Sequence, residues 1–85
     1  MFYVYILKSI KDGNLYTGST DDLKHRFLEH NGGFVKSTKL RRPFKLVYYE
    51  AYGAEEDARL RESRLKQRSR ALAQLKSRIK NSLKT

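Results

Sequence analysis

The chain has 85 residues, 19 Lys plus Arg against 9 Asp plus Glu for a net charge of +10, no Cys, no Trp and one Pro. That length holds one domain with a small core, which excludes multidomain enzymes and large cofactor folds. The missing Cys excludes disulfide scaffolds, Cys-based zinc sites and thiol nucleophiles.

The first element reads as a strand. Phe2, Val4 and Ile6 fall on one face and Tyr3, Tyr5 and Leu7 on the other. Apolar residues on both faces predict a central position in a sheet. The stretch from Met1 to Leu7 is far short of the ~20 residues of a spanning helix. It also lacks the basic flank and small-residue cleavage site of a signal peptide, so no membrane partner and a cytoplasmic, nucleoid-associated location are expected. Asp12-Gly13 signals a turn, and Asn14 to Gly18 reads as a second strand folding back on the first. Ser19-Thr20-Asp21-Asp22 offers N-caps for a helix carrying Leu23, Phe27 and Leu28, which Asn31-Gly32-Gly33 ends. A basic loop from Lys36 to Arg42 leads through Pro43 to a third strand, Phe44 to Tyr49. Ala54-Glu55-Glu56-Asp57 then opens a helix that runs to about Gln67, with three acids against its dipole. Leu72, Leu75, Ile79 and Leu83 form one apolar stripe on a basic amphipathic helix over about 69–83. The order β-β-α-β-α-α predicts a single α+β domain over 1–85, a three-stranded, mainly antiparallel sheet flanked by helices.

Charge is concentrated at one end. Residues 1–58 carry nine basic and eight acidic side chains, net +1, whereas residues 59–85 carry ten basic side chains and Glu62 alone, net +9. Such a segment attracts a phosphate polyanion by releasing its condensed counterions, so DNA is the expected partner. Lys39, Arg41, Arg42, Arg59, Arg64, Lys66, Arg68 and Arg70 are the candidate nucleic-acid contacts.

A few polar residues stand where packing alone would not put them. Tyr5 and Tyr16 lie close across the hairpin and face one side of the sheet; as core aromatics they would need partners for their hydroxyls. Arg26 and His30, four apart, stack on one helix face, a guanidinium fork for phosphate beside a group that moves protons near neutral pH. Glu62 is aimed toward the fold, within about 40° of Ala58 on the helical wheel. It is placed either to pair with Arg59 or Lys66 or to give a hard oxygen to a divalent cation. With no second acid at metal-site spacing, one ion on one carboxylate is the economical arrangement.

In order and spacing, Tyr3-Val4-Tyr5, Tyr16-Thr17-Gly18, Thr20, Arg26, His30 and Glu62 resemble the GIY-YIG nuclease superfamily. The stretch from Lys39 to Glu50 is similar to its short, single-domain bacterial branch. The resemblance covers residues 2 to about 67 and implies metal-dependent hydrolysis of DNA phosphodiesters, structure-selective in repair or recombination. It implies Tyr5 as general base or partner of the attacking water, and Tyr16 as its positioner. Arg26 stabilises charge on the phosphate, His30 tunes a tyrosine within the cluster, and Glu62 binds a single Mg²⁺ or Mn²⁺ with no small-molecule cofactor. Gly18 gives close backbone approach to substrate or ends the strand. The sequence departs from the pattern at Tyr3, where the name motif has glycine, and at Thr17, where it has isoleucine. Beyond Glu62 it has Asn81 only, too far along to serve as the motif asparagine. The competing reading is a non-catalytic nucleic-acid-binding module that keeps this scaffold, with Tyr3, Tyr48 and Tyr49 stacking on bases.

Overall fold

The computed structural model describes residues 1–67 and 70–85. Along them run β1 (Phe2–Ser9), β2 (Leu15–Thr20), α1 (Leu23–Gly32), a 3-10 turn (Lys39–Arg41), β3 (Phe44–Tyr52), α2 (Glu55–Lys66), α3 (Arg70–Arg78) and α4 (Lys80–Leu83). The sheet order is β2-β1-β3 with both pairings antiparallel, so β1 is the central strand that its two apolar faces predict.

The two faces of β1 feed two separate cores. Val4 and Ile6 pack with Ala58 and Leu65 of α2, Leu75 of α3 and Ile79, while Tyr5 and Leu7 pack with Phe44 and with Leu23 and Phe27 of α1. Alternation along a single strand therefore sorts aliphatic side chains to the α2–α3 side and the polar-tipped ring of Tyr5 to the α1 side. Leu65 is fully buried, and truncating it to Ala costs about 3 kcal/mol.

Local chemistry sets the connections. Gly13 takes φ +74° in the hairpin turn, where its N–H donates to the Ser9 carbonyl at 2.9 Å. The buried Ser9 hydroxyl donates to the Arg41 carbonyl at 2.6 Å, tying the hairpin to the 3-10 turn. Among the N-cap candidates it is Asp22 that caps α1, accepting from the His25 N–H at 3.1 Å, and Gly33 closes the helix in the left-handed region at φ 79°. The pairing of β1 with β3 slips between Ile6 and Leu7, because Ile6 faces Tyr48 and Leu7 faces Leu46, leaving Val47 as a bulge.

Two expectations change in detail. The basic loop contains a turn of 3-10 helix, and the amphipathic segment expected as one helix over about 69–83 is α3 and α4 with Ile79 between them at φ −112°. The hydrogen bonds Ile79 N–H to Leu75 O and Leu83 N–H to Ile79 O span that break. The apolar stripe thus survives while Ile79, with a stiff β-branched side chain, is turned into the core.

Candidate nuclease site

Tyr5 lies mid-β1 opposite Gly18 of β2. Its hydroxyl occupies the space that a side chain at residue 18 would fill, since a Cβ there would stand 2.4 Å from Tyr5 Oη. Gly18 therefore makes room for a phenol from the neighbouring strand. Beneath the phenol is His30, fully buried in the last turn of α1, with Nε2 2.8 Å from Tyr5 Oη and Nδ1 2.8 Å from Thr38 Oγ1. The Thr38 hydroxyl donates to the Val35 carbonyl at 3.4 Å. A neutral imidazole has one donor and one acceptor, so the network assigns Nδ1–H to Thr38 and leaves Nε2 to accept the Tyr5 proton.

Tyr16 and Arg26 complete the cluster. The Tyr16 ring packs edge-on to His30 at 5.0 Å and tilts against Tyr5 at 6.4 Å. Arg26, one turn before His30 on α1, pairs with Glu29 at 3.3 Å and lies close enough to the Tyr5 hydroxyl to couple to it electrostatically. The helical spacing read from the sequence thus brings Arg26 and His30 onto the same phenol. Their exposures differ: Tyr5 is 1% and His30 0% exposed, while the Arg26 side chain is 36% exposed and Tyr16 is half-buried.

Burial governs the electrostatics. It raises Tyr5 to about 12 against an opposing pull from Arg26, and it lowers His30 to about 4 with help from the Arg26 charge. At neutral pH this core is an uncharged phenol bonded to an uncharged imidazole. Desolvation also pulls on Arg26, but its bonds to Tyr5 and Glu29 outweigh that pull and hold it protonated.

Glu62 approaches from the opposite face of the sheet. Its Oε1 accepts from Ser19 Oγ at 2.6 Å, and its Oε2 pairs with Lys66 Nζ at 2.7 Å. Ser19 is next to Gly18 on the edge strand, and Lys66 Nζ lies 6.0 Å from the Tyr16 ring centroid. Glu62, Lys66 and Tyr16 thereby meet around the β2 edge, although α1 and α2 pack on different faces. Burial pushes the Glu62 carboxyl up, but Lys66 and Ser19 overcome it and hold it below the usual carboxylate range. Among the described residues no three His, Cys, Asp or Glu side chains gather as a metal cage. One ionised carboxylate beside a hydroxyl fits Mg²⁺, which keeps most of its waters and takes further oxygens from substrate phosphate.

The basic candidates divide by location. Lys39 and Arg42 are exposed around the 3-10 turn, Arg42 lying over Gly33, whereas Arg41 is committed to Asp12 at 2.9 Å and stacks on Phe44 at 5.6 Å. Arg59, Arg64, Lys66 and Arg70 are exposed on α2 and α3, with Arg59 paired to Glu55 at 3.4 Å. Arg68 lies outside the described residues. The three-tyrosine platform does not form: Tyr3 and Tyr49 meet edge-on at 6.0 Å, but Tyr48 is on the other face, donating to Glu50. Ordinary strand alternation separates Tyr48 from Tyr49 in this way.

Sequence reasoning missed the supporting residues. Thr38 orients His30, Ser19 orients Glu62, and the Asn31 amide bonds Phe44 through both its oxygen (2.6 Å) and its nitrogen (3.0 Å), pinning the end of α1 to β3. Ser and Thr in loops or strand ends carry no signal of this kind, because their partners are distant in sequence. It also missed a second polar cluster, in which Glu50 takes a bidentate Arg61 and the hydroxyls of Tyr48 and Tyr52.

A phenol pair, a guanidinium, a buried imidazole and one carboxylate set around the edge of a three-stranded antiparallel sheet define a domain of the GIY-YIG nuclease superfamily. The model of the GIY-YIG catalytic domain matches residues 1–77, and the chain belongs to that family, in its short single-domain branch. It is 46% identical over 69 residues to UPF0213 protein SSP2268 of Staphylococcus saprophyticus, covering 80% of this chain and 83% of that protein. It is also 46% identical over 71 residues to UPF0213 protein CPE1444 of Clostridium perfringens, covering 82% and 75%. The solution NMR structure of UPF0213 protein BH0048 from Bacillus halodurans matches it at 37% identity and a TM-score of 0.57, over 100% of this chain and 95% of that one. No helix among the described residues is long and apolar enough to cross a membrane.

Proposed function

We propose that this protein is a metal-dependent DNA endonuclease that hydrolyses phosphodiester bonds, structure-selective and acting in repair or recombination. The observation that carries this reading is the meeting of Tyr16 and Glu62 around the β2 edge through Lys66, with Arg26 beside Tyr5 in the cluster that includes Tyr16 and a segment of net charge +9 in the same chain. Arg26 stabilises the charge that builds on the phosphate, an electrostatic role worth about 2.7–4 kcal/mol per donor. Tyr16 is the phenol that meets solvent and holds the attacking water. Tyr5 is closed in and donates its proton to His30 in a hydrogen bond; burial raises the phenol and lowers the imidazole, so both disfavour full transfer. Tyr5 therefore acts as a positioning residue that fixes Arg26 and the Tyr16 ring. Glu62, oriented by Ser19, holds the divalent cation, which when bound polarises the phosphate and favours departure of the leaving oxygen.

The test is cleavage of labelled single-stranded, duplex, flapped and branched DNAs with Mg²⁺, Mn²⁺ or EDTA, wild type beside Glu62→Gln. Metal-dependent products absent from the variant are expected. Tight, salt-sensitive binding with no cleavage under any metal would leave a binding module on a nuclease scaffold.

A further inference from the structure

Lys66 reaches both Glu62 and the Tyr16 ring. Its ammonium is 2.7 Å from Glu62 Oε2 and 6.0 Å from the Tyr16 ring centroid. Ser19 already engages the other carboxylate oxygen at 2.6 Å, so Lys66 covers the remaining place where a cation would sit on Glu62. The carboxylate is 19% exposed, whereas the lysine side chain is 50% exposed and joined to its helix by a flexible stem. It also borders a groove of about 490 Å³ along the outer side of β2, lined by Tyr16, Thr17, Leu72 and Lys76.

We infer that Lys66 is the resting counter-ion of Glu62, and that a divalent cation binds there by displacing the ammonium into this groove. This rests on Glu62 being the metal ligand. A surface ion pair one helical turn apart is weak, so a lysine can yield to a doubly charged ion where a fixed guanidinium would not. Displacement has a second effect. Two ammonium groups, Lys66 and Lys76, then face a groove suited to a sugar–phosphate backbone, whereas in the resting protein one of them is neutralised by Glu62. Cation binding thus raises the positive charge offered to the strand entering beside Tyr16, and by linkage the strand raises affinity for the cation.

The experiment is Mn²⁺ binding without nucleic acid, followed by electron paramagnetic resonance of the free ion, for wild type, Lys66→Met, Arg59→Met and Glu62→Gln. Lys66→Met removes the competitor and should tighten Mn²⁺ binding about two- to fivefold. Arg59→Met removes an equal charge one turn away, without contact to the carboxylate, and should change affinity by less than about twofold. In parallel, Mg²⁺ should produce a saturable shift of the Lys66 side-chain ¹³Cε–¹Hε resonance that is lost in Glu62→Gln. Equal effects of Lys66→Met and Arg59→Met, or a Lys66 signal indifferent to Mg²⁺, would overturn the displacement and leave Glu62 as ligand. Mn²⁺ binding that is unchanged in Glu62→Gln would overturn the metal assignment itself, and this inference with it.

Discussion

The sheet carries a polar cluster on each face, and the two are built on different chemistry. On the α1 face, Tyr5, His30 and Thr38 form an uncharged hydrogen-bonded chain with a protonated Arg26 at its rim. On the α2 face, Glu50 takes Arg61 through two oxygens and also accepts from Tyr48 and Tyr52. Tyrosines in both clusters are driven up by burial, Tyr5 and Tyr52 each to about 12, so a perturbed phenol does not separate them. Charge balance does. Arg61 is consumed by its own carboxylate, and burial pressure on Glu50 is overcome by Arg61 and the two hydroxyls. Arg26 pairs with Glu29 through one contact at 3.3 Å and otherwise faces the uncharged Tyr5, so no carboxylate takes its fork through two oxygens. A cluster of the Glu50–Arg61 kind stabilises a fold, whereas one with Arg26 at its rim leaves a charge that suits an anion.

Arginine replacements test that contrast most sharply. Arg26→Ala should lower turnover by about 10²- to 10³-fold with the melting temperature nearly unchanged. Arg61→Ala should do the reverse, costing about 3 kcal/mol in chemical denaturation while activity per folded molecule persists. If both act on stability alone, the two clusters are of one kind. Next come the phenols. Tyr16→Phe is expected to cost about 10²-fold in kcat and Tyr5→Phe about tenfold, read by single-turnover cleavage, and the opposite ranking would return the water to Tyr5. Gly18→Ala forces a methyl into the Tyr5 hydroxyl and should cost about 1–3 kcal/mol together with activity.

The two faces also differ in their response to pH. His30 is lowered to about 4 when folded, against about 6.5 unfolded, so the unfolded chain binds more protons between these values. Its contribution is complete above pH 6.5 and is lost as pH falls toward 4, amounting to about 2 kcal/mol at pH 5. Thermal melts of wild type and His30→Gln from pH 7 to pH 5 should converge. Parallel curves would mean that the imidazole is not held neutral.

Much of this was legible in the sequence, and the boundary is physical. The central strand, the hairpin and the caps follow from alternation and turn residues, and the spacing of Arg26 and His30 already stacks them. The order of motif residues named the family. Long-range partners were not legible: Ser19 meeting Glu62 and Asn31 gripping Phe44 depend on how faces pack, which no local pattern records. The depth of burial was also hidden. A tyrosine in a central strand is equally compatible with solvent access and with enclosure, and only the side-chain vacancy at Gly18 explains why Tyr5 is enclosed.

The unpaired residue in β3 has one more consequence. Because Val47 shifts the alternation by a step, Phe44 and Leu46 share a side with Tyr49, while Val47 and Tyr48 share the other. The strand is in effect two short strands of opposite phase, joined end to end. Deleting Val47 itself would leave a regular ladder, with Leu46 still opposite Leu7 and Tyr48 still opposite Ile6, whereas deleting any other residue inside β3 would exchange inside for outside along one flank of the cut. Length variation among relatives should therefore be confined within β3 to Val47 and otherwise collect at Gly53, where the chain is exposed and a side chain would meet open space.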